Sequence, residues 1–572
     1  MLRTTRARTN RNSLGTALLA AILLVGCVGG QVGRTRTNEY RKGMVVSASE
    51  YASQVGVDVL KKGGNAVDAA VAVQFALAVV YPNAGNLGGG GFMVYRSAKG
   101  EVATLDFRES APSSSHRDMY LDASGKPITE KSLYGQLAAG VPGSVAGMEA
   151  AHQKYGRLKW GDLVAPSVEL AKSGFKVTAR QARELNGMKV RLSKLNPLGT
   201  ALLQDAVWNE GDLLVQKELG NTLSLIQTGG RKGFYEGAVA DSIVAEMQRG
   251  NGIINKQDLK DYKAVWREPI IGSYRGYEVI TMPPPSSGGI ALVQLLASVE
   301  PYPLSKWGFN ADSTVQLMVE AERRVYADRA AHLGDPDFYP VPKKGLIDNK
   351  YILDRMASFS WQKASTSAEI GAGEIAAAEH EETTHFSIVD REGNAVSITT
   401  TLNGSYGAGV VVKGAGFLLN NEMDDFSVKP GSPNMYGLVG GEANAIAPKK
   451  RMLSSMTPAI LAKNGDLFMV VGTPGGSTII TSVFQTIVNV IDFNQSMQAA
   501  VNSKKFHHQW LPDQVDIEPQ ALDSLTIKKL EAKGYRIVPR GAIGRVDAIL
   551  KTKWGYYQGG ADPRGDDKVV GW

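Results

Sequence analysis

The chain has 572 residues, a length typical of two to four domains or of one large two-lobed domain. Its net charge is +7, but four of those charges are Arg3, Arg6, Arg8 and Arg11, which precede an apolar run near the N-terminus. The rest of the chain has no block of Lys and Arg interleaved with aromatic residues, which argues against a nucleic-acid-binding protein. The 64 glycines predict many tight turns and close backbone contacts.

The first predicted element is an export signal over residues 1–26. A positively charged start precedes an apolar stretch from Leu14 to Val25, which is too short for a stable membrane span. The stretch ends in LVGC, which resembles the lipobox of bacterial lipoproteins, so we expect Cys27 to be a lipid anchor and the protein to lie in the periplasm or cell envelope. The alternative is a plain signal peptide followed by an incidental cysteine. Because Cys27 is the only cysteine, an intramolecular disulfide and a thiolate metal cluster are excluded, and a cysteine nucleophile is disfavoured.

Two helices and a glycine loop come next. Residues 47–62 read as a helix, and Asn65 caps a second helix over residues 66–80, with Asp68 in a capping-box-like position. The second helix is apolar on nearly all sides, which predicts burial between layers. The glycines at 88–91 lack the spacing of a phosphate-binding motif, so we interpret this loop as a place where the backbone packs tightly.

The pattern changes to strands at Thr383. The stretch THFSIVD, a turn at residues 391–394 and the stretch AVSITTTLN predict a β-hairpin. A slack tether over residues 362–382, with few large apolar residues, leads into its first strand. The strand LFMVVGTPGG and the helix SVFQTIVNVIDF follow. Alternating helices and strands in both halves predict an α/β fold of stacked sheet and helix layers.

The sequence lacks the common motifs of metal-dependent hydrolases and serine hydrolases. None of the seven histidines has a metal-binding spacing such as H-E-x-x-H, and no G-x-S-x-G stretch marks a serine nucleophile. A conventional serine hydrolase and a zinc hydrolase are therefore disfavoured.

The threonine pair that opens the hairpin offers another nucleophile. If the chain were cut just before a threonine, the new α-amine, with an ordinary pKa of about 7.7–8.0, could serve as the base for the hydroxyl. The same hydroxyl could make the cut by attacking the preceding carbonyl, which requires a flexible segment upstream and a rigid strand downstream. On the pattern alone, two threonines at a strand end more often reflect β-propensity, and the choice between Thr383 and Thr384 stays open.

Longer motifs resemble the γ-glutamyltranspeptidase family of the N-terminal-nucleophile hydrolases. The likeness runs from about Gly43 to the C-terminus through LKKGGNAVDAAVA, GNLGGGGFM, LDFRESAP, TTHFSIVD, LLNNEMDDFS, PGSPNMYGLVGG, RMLSSMTP, GTPGGS and FHHQWLPD. It implies a four-layer αββα sandwich built from both fragments of a self-cleaved precursor. The cut is expected between Glu382 and Thr383, and it would leave a large subunit (27–382) and a small subunit (383–572) that form a heterodimer.

The resemblance also implies which residues act on the substrate. Thr383 is the expected nucleophile toward the γ-carbonyl of glutathione and related γ-glutamyl compounds, and Thr401 is expected to hydrogen-bond to it. Gly475 and Gly476 would form an oxyanion hole from backbone N–H groups. The stretch PGSPNMYGLVGG resembles a lid loop over the pocket, with Tyr436 as its gate.

A further set of residues is expected to bind the α-carboxylate and the α-ammonium of the donor. Arg108 suits the carboxylate because a guanidinium can form two parallel bonds to it. The serines of RMLSSMTP, Ser454 and Ser455, would add hydroxyl donors to the carboxylate. The ammonium would be held by Asp425, Asn403 and Glu422. One relative in the family has glutamine where this chain has Glu422, and the change is expected to add negative charge near the ammonium.

The reaction that the resemblance implies is transfer of a γ-glutamyl group through an ester on Thr383 to water, an amino acid or a dipeptide. It needs no metal and no organic cofactor. Two alternatives stay open. One is an acylase of the same superfamily that removes a glutaryl side chain, which has no α-ammonium, from a β-lactam nucleus. The other is a lipoprotein that binds γ-glutamyl peptides without turnover.

Overall fold

The computed structural model describes residues 39–371, 383–429, 431 and 440–572. The expected signal peptide at residues 1–26, the lipid anchor Cys27, the lid residue Tyr436 and the cut-site residue Glu382 lie outside the described residues. Among the helices that are described, none is both long and apolar enough to cross a membrane.

The described residues form eighteen α-helices and nineteen strands, numbered here in chain order. The helices are α1 (Glu50–Lys61), α2 (Ala66–Val80), α3 (Thr129–Leu133), α4 (Ser144–Tyr155), α5 (Trp160–Ser173), α6 (Ala179–Leu195), α7 (Lys217–Gly229), α8 (Lys232–Tyr235), α9 (Gly237–Arg249), α10 (Lys256–Asp261), α11 (Gly288–Val299), α12 (Leu304–Trp307), α13 (Asp312–His332), α14 (Lys343–Leu346), α15 (Asn349–Met356), α16 (Thr478–Ile491), α17 (Met497–Asn502) and α18 (Ser524–Ala532). The strands are β1 (Glu39–Tyr40), β2 (Met44–Ser47), β3 (Gly90–Arg96), β4 (Val102–Asp106), β5 (Phe175–Lys176), β6 (Leu213–Leu214), β7 (Val265–Arg267), β8 (Ile270–Tyr274), β9 (Tyr277–Thr281), β10 (Thr384–Val389), β11 (Ala395–Thr401), β12 (Ala459–Lys463), β13 (Asp466–Gly472), β14 (Phe506–His507), β15 (Val515–Ile517), β16 (Ile537–Pro539), β17 (Asp547–Lys551), β18 (Tyr557–Gly560) and β19 (Lys568–Gly571).

Two seven-stranded sheets form the centre of the molecule. Sheet one has the order β19-β2-β10-β11-β3-β4-β7, and sheet two has the order β1-β18-β17-β13-β12-β9-β8. Neighbouring strands are antiparallel throughout both sheets. Helices α1, α2 and α4 pack on sheet one, α11, α16 and α17 pack on sheet two, and the sheets pack on each other. The expected αββα sandwich is therefore confirmed.

Strand β3 shows why both faces of sheet one are apolar. Phe92 and Val94 belong to the core between the two sheets, whereas Met93 and Tyr95 belong to the core between sheet one and its helices. Successive side chains of a strand point to opposite faces, so a strand that is covered on both sides needs apolar residues at every position.

The predicted helices and the hairpin are present with small differences at their ends. The first helix begins at Glu50 rather than at residue 47, because Ser47 is the last residue of β2 and Ser49 occupies the N-cap. All fifteen residues of α2 are buried, and Asn65 and Asp68 form the expected capping box. Strands β10 and β11 pair over six residues each, as the hairpin prediction requires.

The first ten residues of the expected slack tether are held in place by hydrogen bonds. The backbone N–H of Ala364 donates to the carbonyl of Lys533 at 2.7 Å. The N–H of Ser367 donates to Asp513 at 2.6 Å, and the indole of Trp510 donates to the Ser367 carbonyl at 2.9 Å. Residues 362–371 are thus docked on the body of the protein because their polar groups find partners distant in sequence.

Both sheets combine strands from the two sides of residue 383. In sheet one, β2 lies between β19 and β10, and β11 pairs with β3. In sheet two, β12 pairs with β9, and β1 pairs with β18. Neither half of the chain therefore has a complete sheet of its own.

Candidate active site

A pocket lies where β10 begins and β11 ends. It is lined by Arg108, Arg329, Thr383, Thr401, Asn403, Glu422, Asp425, Phe426, Ser427, Gly440, Asn444, Leu453, Ser454, Ser455, Met456, Gly476 and Ile479. Nine of the residues predicted to act on the substrate are in this lining. Gly475 is not, although it adjoins Gly476 in the chain.

Thr383 and Thr401 lie opposite each other in the hairpin. The register pairs Thr384 with Thr400, so the next pair outward is Thr383 and Thr401. Directly opposed residues of antiparallel strands place their side chains on the same face. Thr384 is fully buried and does not line the pocket. Of the two threonines that the pattern left open, only Thr383 reaches the pocket.

The glycine loop holds the end of β11 in position. A Cβ atom on Gly89 would lie 2.0 Å from the carbonyl oxygen of Thr401, and one on Gly88 would lie 2.1 Å from that of Leu418. The side-chain amide of Asn86 donates to the Thr401 carbonyl at 2.9 Å. The interpretation of this loop as a place of close backbone packing is confirmed, and its effect is to fix Thr401.

Asn403 follows Thr401 with a left-handed backbone. Its φ angle is 73°, in a region that asparagine tolerates better than most residues. Its N–H donates to the hydroxyl of Thr401 at 2.7 Å, and its side-chain amide donates to the carbonyl of Asn421 at 2.9 Å. This connection places Glu422, which follows Asn421 in the chain, beside the end of the hairpin.

Three carboxyl groups surround the guanidinium of Arg108. Its Nη1 lies 2.5 Å from Glu422 and 3.5 Å from Glu109, and its Nη2 is paired with Asp425. Arg108 is 1% exposed, and Glu109 and Glu422 are completely buried. One buried cation cannot balance three ionised carboxylates, so protonation of part of the cluster is favoured.

The pKa values in this cluster follow from burial. Burial raises the pKa of Glu109 to about 8, although Arg108 opposes the rise. Burial raises the pKa of Glu422 well above its ordinary value and also raises that of Asp425, and these two carboxyl groups interact directly with each other. A hydrogen bond between two carboxyl groups requires a proton on one of them, and Glu422 has the larger shift. Burial thus favours the neutral form of Glu422, and the expected negative charge at this position stays a prediction.

The serine loop at 454–455 is held by residues that sequence analysis missed. Arg329, on α13, donates to the Ser455 hydroxyl at 3.0 Å and to Ser287 at 2.9 Å. Asn444 accepts from the N–H of Leu453 at 2.9 Å and donates to the carbonyl of Asp425 at 2.7 Å. The available signal for Arg329 was the unusual density of charged residues in a helix that is almost wholly buried.

The loop Thr473–Gly476 joins β13 to α16. Gly475 and Gly476 have φ angles of 133° and 45°, which L side chains rarely adopt. A Cβ atom on Gly475 would also lie 2.6 Å from the hydroxyl of Thr478. Gly476 lines the pocket near the N-terminal end of α16, where N–H groups favour developing negative charge.

The described part of the chain contains no group of three or more His, Cys, Asp and Glu side chains that could hold a metal ion. Three histidines are instead buried in hydrogen-bond networks. Burial lowers the pKa of His385 to about 3, and its ring contacts the hydroxyls of Thr399 and Ser387 at 2.9 and 3.0 Å. His507 and His508 are likewise buried, with lowered pKa values.

Comparisons with known proteins agree with this geometry. A family model described as Gamma-glutamyltranspeptidase matches residues 52–572. The glutathione hydrolase proenzyme of Escherichia coli (strain K12) is 48% identical over 535 residues, which cover 93% of this chain and 92% of that protein. The Acylase ACY 1 proenzyme of Pseudomonas sp. (strain V22) is 35% identical over 539 residues, covering 92% of this chain and 93% of that protein. The crystal structure of cephalosporin acylase from Bacillus halodurans has a TM-score of 0.83 at 27% identity, covering 94% of this chain and 97% of that one. The chain therefore belongs to the γ-glutamyltranspeptidase family and is an autoprocessed enzyme of the threonine type.

Proposed function

We propose that the chain cuts itself between Glu382 and Thr383 and then transfers the γ-glutamyl group of glutathione and related compounds to water, amino acids or dipeptides. The observation that carries the proposal is the position of Thr383. It lies opposite Thr401 in a pocket that also contains Arg108 and Asp425. A hydroxyl nucleophile and a pair of opposite charges for a zwitterionic head group thus line one pocket.

The self-cleavage uses the hydroxyl of Thr383 as its nucleophile. The Oγ atom attacks the carbonyl carbon of Glu382, and the acyl group moves from nitrogen to oxygen. Water then hydrolyses the ester, which leaves a carboxylate on Glu382 and a free α-amine on Thr383. Thr401 is positioned to orient the hydroxyl, because the two residues are directly opposed in the hairpin.

In turnover the new α-amine of Thr383 acts as the base. It accepts the hydroxyl proton as Oγ attacks the γ-carbonyl of the donor, and it returns a proton to the leaving amine. The N–H groups of Gly475 and Gly476 stabilise the negative charge on the carbonyl oxygen. Water or an acceptor amine then releases the γ-glutamyl group from the ester.

Arg108 and the carboxyl cluster recognise the two charges of the γ-glutamyl head group. Arg108, with Ser454 and Ser455 nearby, binds the α-carboxylate, and Asp425, with Asn403 and Glu422, binds the α-ammonium. The buried carboxyls favour a γ-glutamyl donor over a glutaryl one, because only the former brings a cation to them.

We also propose that residues 1–26 direct export and that Cys27 receives a lipid, with Tyr436 closing over the bound donor. After the cut, the fragments 27–382 and 383–572 stay together as a heterodimer. Incorporation of labelled fatty acid into the wild-type protein but not into Cys27→Ser would support the anchor, and equal labelling would exclude it.

The deciding experiment is an intact-mass spectrum of the purified wild-type protein and of Thr383→Ala. The proposal expects two wild-type fragments, the smaller beginning at Thr383, and a single uncut mutant chain. A γ-glutamyl anilide assay of the same samples then tests turnover. An uncut wild-type chain that still binds γ-glutamyl peptides would instead indicate a binding protein, and release of glutaryl but not γ-glutamyl groups would indicate an acylase.

A further inference from the structure

A pair of buried carboxyl groups lies behind the active site and takes no part in the mechanism above. Asp547 opens β17, and Asp567 lies just before β19. The side chains of both residues are completely buried, and the two carboxyl groups interact directly with each other. No hydrogen-bond donor among the described residues reaches either oxygen of Asp547. Two carboxylates can only accept, so this contact requires a proton on one of them.

The backbone of Asp547 joins the two strands that carry the catalytic groups. Asp547 pairs with Gly472, which is the last residue of β13 and directly precedes the loop with the proposed oxyanion hole. Its carbonyl accepts from the hydroxyl of Ser387 at 3.0 Å, and Ser387 lies on β10, which begins next to Thr383. One residue of sheet two therefore contacts both the nucleophile strand and the strand that ends at the oxyanion loop.

The residues just before Asp547 support the same loop. The N–H of Arg545 donates to the hydroxyl of Thr473 at 2.7 Å. A Cβ atom on Gly475 would lie 3.2 Å from the Cα of Gly544, so the backbones of the two segments are in close contact. A displacement of Asp547 along β17 would move this contact and, with it, the N–H groups of the loop.

Asp567 fixes the other side of the pair. Its carboxyl lies 3.1 Å from Nε of Arg545, and Arg545 also donates to the hydroxyl of Tyr81 at 2.6 Å. The charged or titratable groups that face the pair are Arg545, Asp562, Arg180, Tyr81 and, through Ser387, His385. His385 is neutral at ordinary pH because burial lowers the pKa of its ring to about 3.

We propose that Asp547 is a positioning residue for the acyl transfer, and that the proton it shares with Asp567 holds the oxyanion loop in register with Thr383. The inference rests on the proposed roles of Thr383, Gly475 and Gly476. Loss of the shared proton would leave two adjacent buried anions with one directly contacting cation, and their repulsion would separate the segments that bear them. Burial and the neighbouring Asp567 raise the pKa of Asp547 well above its ordinary value, which places this loss on the alkaline side.

The test compares Asp547→Asn and Asp547→Ala with the wild type in γ-glutamyl hydrolysis over about pH 6 to 10. An asparagine donates to Asp567 without a titrating proton, so Asp547→Asn should keep the neutral-pH kcat within about threefold and retain it at alkaline pH, where the wild type declines. Asp547→Ala should lower kcat by about tenfold or more with little change in KM, because the groups that bind the donor are not displaced. Titration of the donor itself affects all three proteins equally and cancels in the comparison.

A matched control is Asp466→Asn, at the opposite end of β13, where the side chain is exposed and paired with Lys551. It should behave as the wild type. An alkaline decline in Asp547→Asn identical to that of the wild type, or a kcat of Asp547→Ala within twofold of the wild type, would overturn the inference. If Asp547→Ala does not fold or mature, Asp547→Asn alone decides through its pH profile. An inactive or uncut wild type would refute the proposed function instead, whatever the variants do.

Discussion

At the scale of single residues, the unusual feature is the crowding of three carboxyl groups around the buried guanidinium of Arg108. Glu422 occupies a position where a charged carboxylate would be costly, because it is completely buried and next to Asp425. Its neutral form donates a hydrogen bond to Asp425, as a glutamine amide also could. The difference between Glu422 and a glutamine at this position is therefore smaller than the formal charges imply.

This argument predicts that Glu422→Gln is nearly silent near neutral pH. The donor KM should stay within about threefold of the wild type, since the substitution replaces one neutral donor with another. Steady-state hydrolysis of a γ-glutamyl anilide at about pH 7 measures it. A KM raised more than tenfold would mean that Glu422 acts as an anion.

Asp425→Asn is the matched comparison in the same pocket. Removal of this charge should cost about 2–5 kcal/mol of donor binding, because the α-ammonium would lose its anionic partner in a buried site. The donor KM should then rise by about thirtyfold or more, with self-cleavage intact. Equal effects of the two substitutions would contradict the assignment of the charge to Asp425.

At the scale of elements, the glycine loop and the hairpin act as one unit. The loop passes so close to β11 that a methyl group on Gly89 would overlap the carbonyl of Thr401. The end of β11 would have to move by more than an ångström to make room. Thr401 and Asn403 would move with it, and both line the pocket.

We therefore expect Gly89→Ala to abolish or strongly slow both self-cleavage and turnover. Fragment formation on a denaturing gel over time measures the first, and the γ-glutamyl assay measures the second. Gly187→Ala is the control, because Gly187 lies within α6 with no atom near its missing Cβ. This control should leave both activities unchanged and raise stability by about 0.5–1 kcal/mol. Normal processing of Gly89→Ala would contradict the close packing.

Local patterns in the sequence predicted these elements better than they predicted the contacts between them. The hairpin, the capped helix α2 and the glycine loop each depend on neighbouring residues, and each is present. Arg329 and Asn444 escaped notice because their partners lie more than a hundred residues away or in irregular loops without periodicity. The docking of residues 362–371 was not predicted for the same reason. The polar residues of this segment form hydrogen bonds with partners distant in sequence, which the local pattern does not reveal.

At the scale of the whole molecule, the proposed cut would leave the fold intact. Strand β10 begins next to Thr383 and is hydrogen-bonded to β2 on one side and to β11 on the other. Separation of the two fragments would break the pairings β2–β10, β2–β19, β3–β11, β9–β12 and β1–β18. It would also expose the apolar cores that both fragments share.

The mature protein should therefore elute as one species from a size-exclusion column in native buffer. It should separate into two chains only in denaturant, because dissociation breaks these five strand pairings and exposes the shared apolar cores. The uncut Thr383→Ala chain serves as the reference for the elution volume. A small fragment that elutes alone in native buffer would contradict the shared sheets.

Because both sheets contain strands from both fragments, the proposed cut also affects how the protein refolds. Before the cut, refolding is a first-order event within one chain, whereas after it two chains must meet, so refolding slows with dilution. In the proposed mechanism the single chain completes its sheets before Thr383 makes the cut, and the two resulting chains cannot easily repeat that assembly. Its persistence then depends on how slowly it unfolds rather than on the folding equilibrium, and self-cleavage turns a reversible fold into one that is kept by its kinetic barrier.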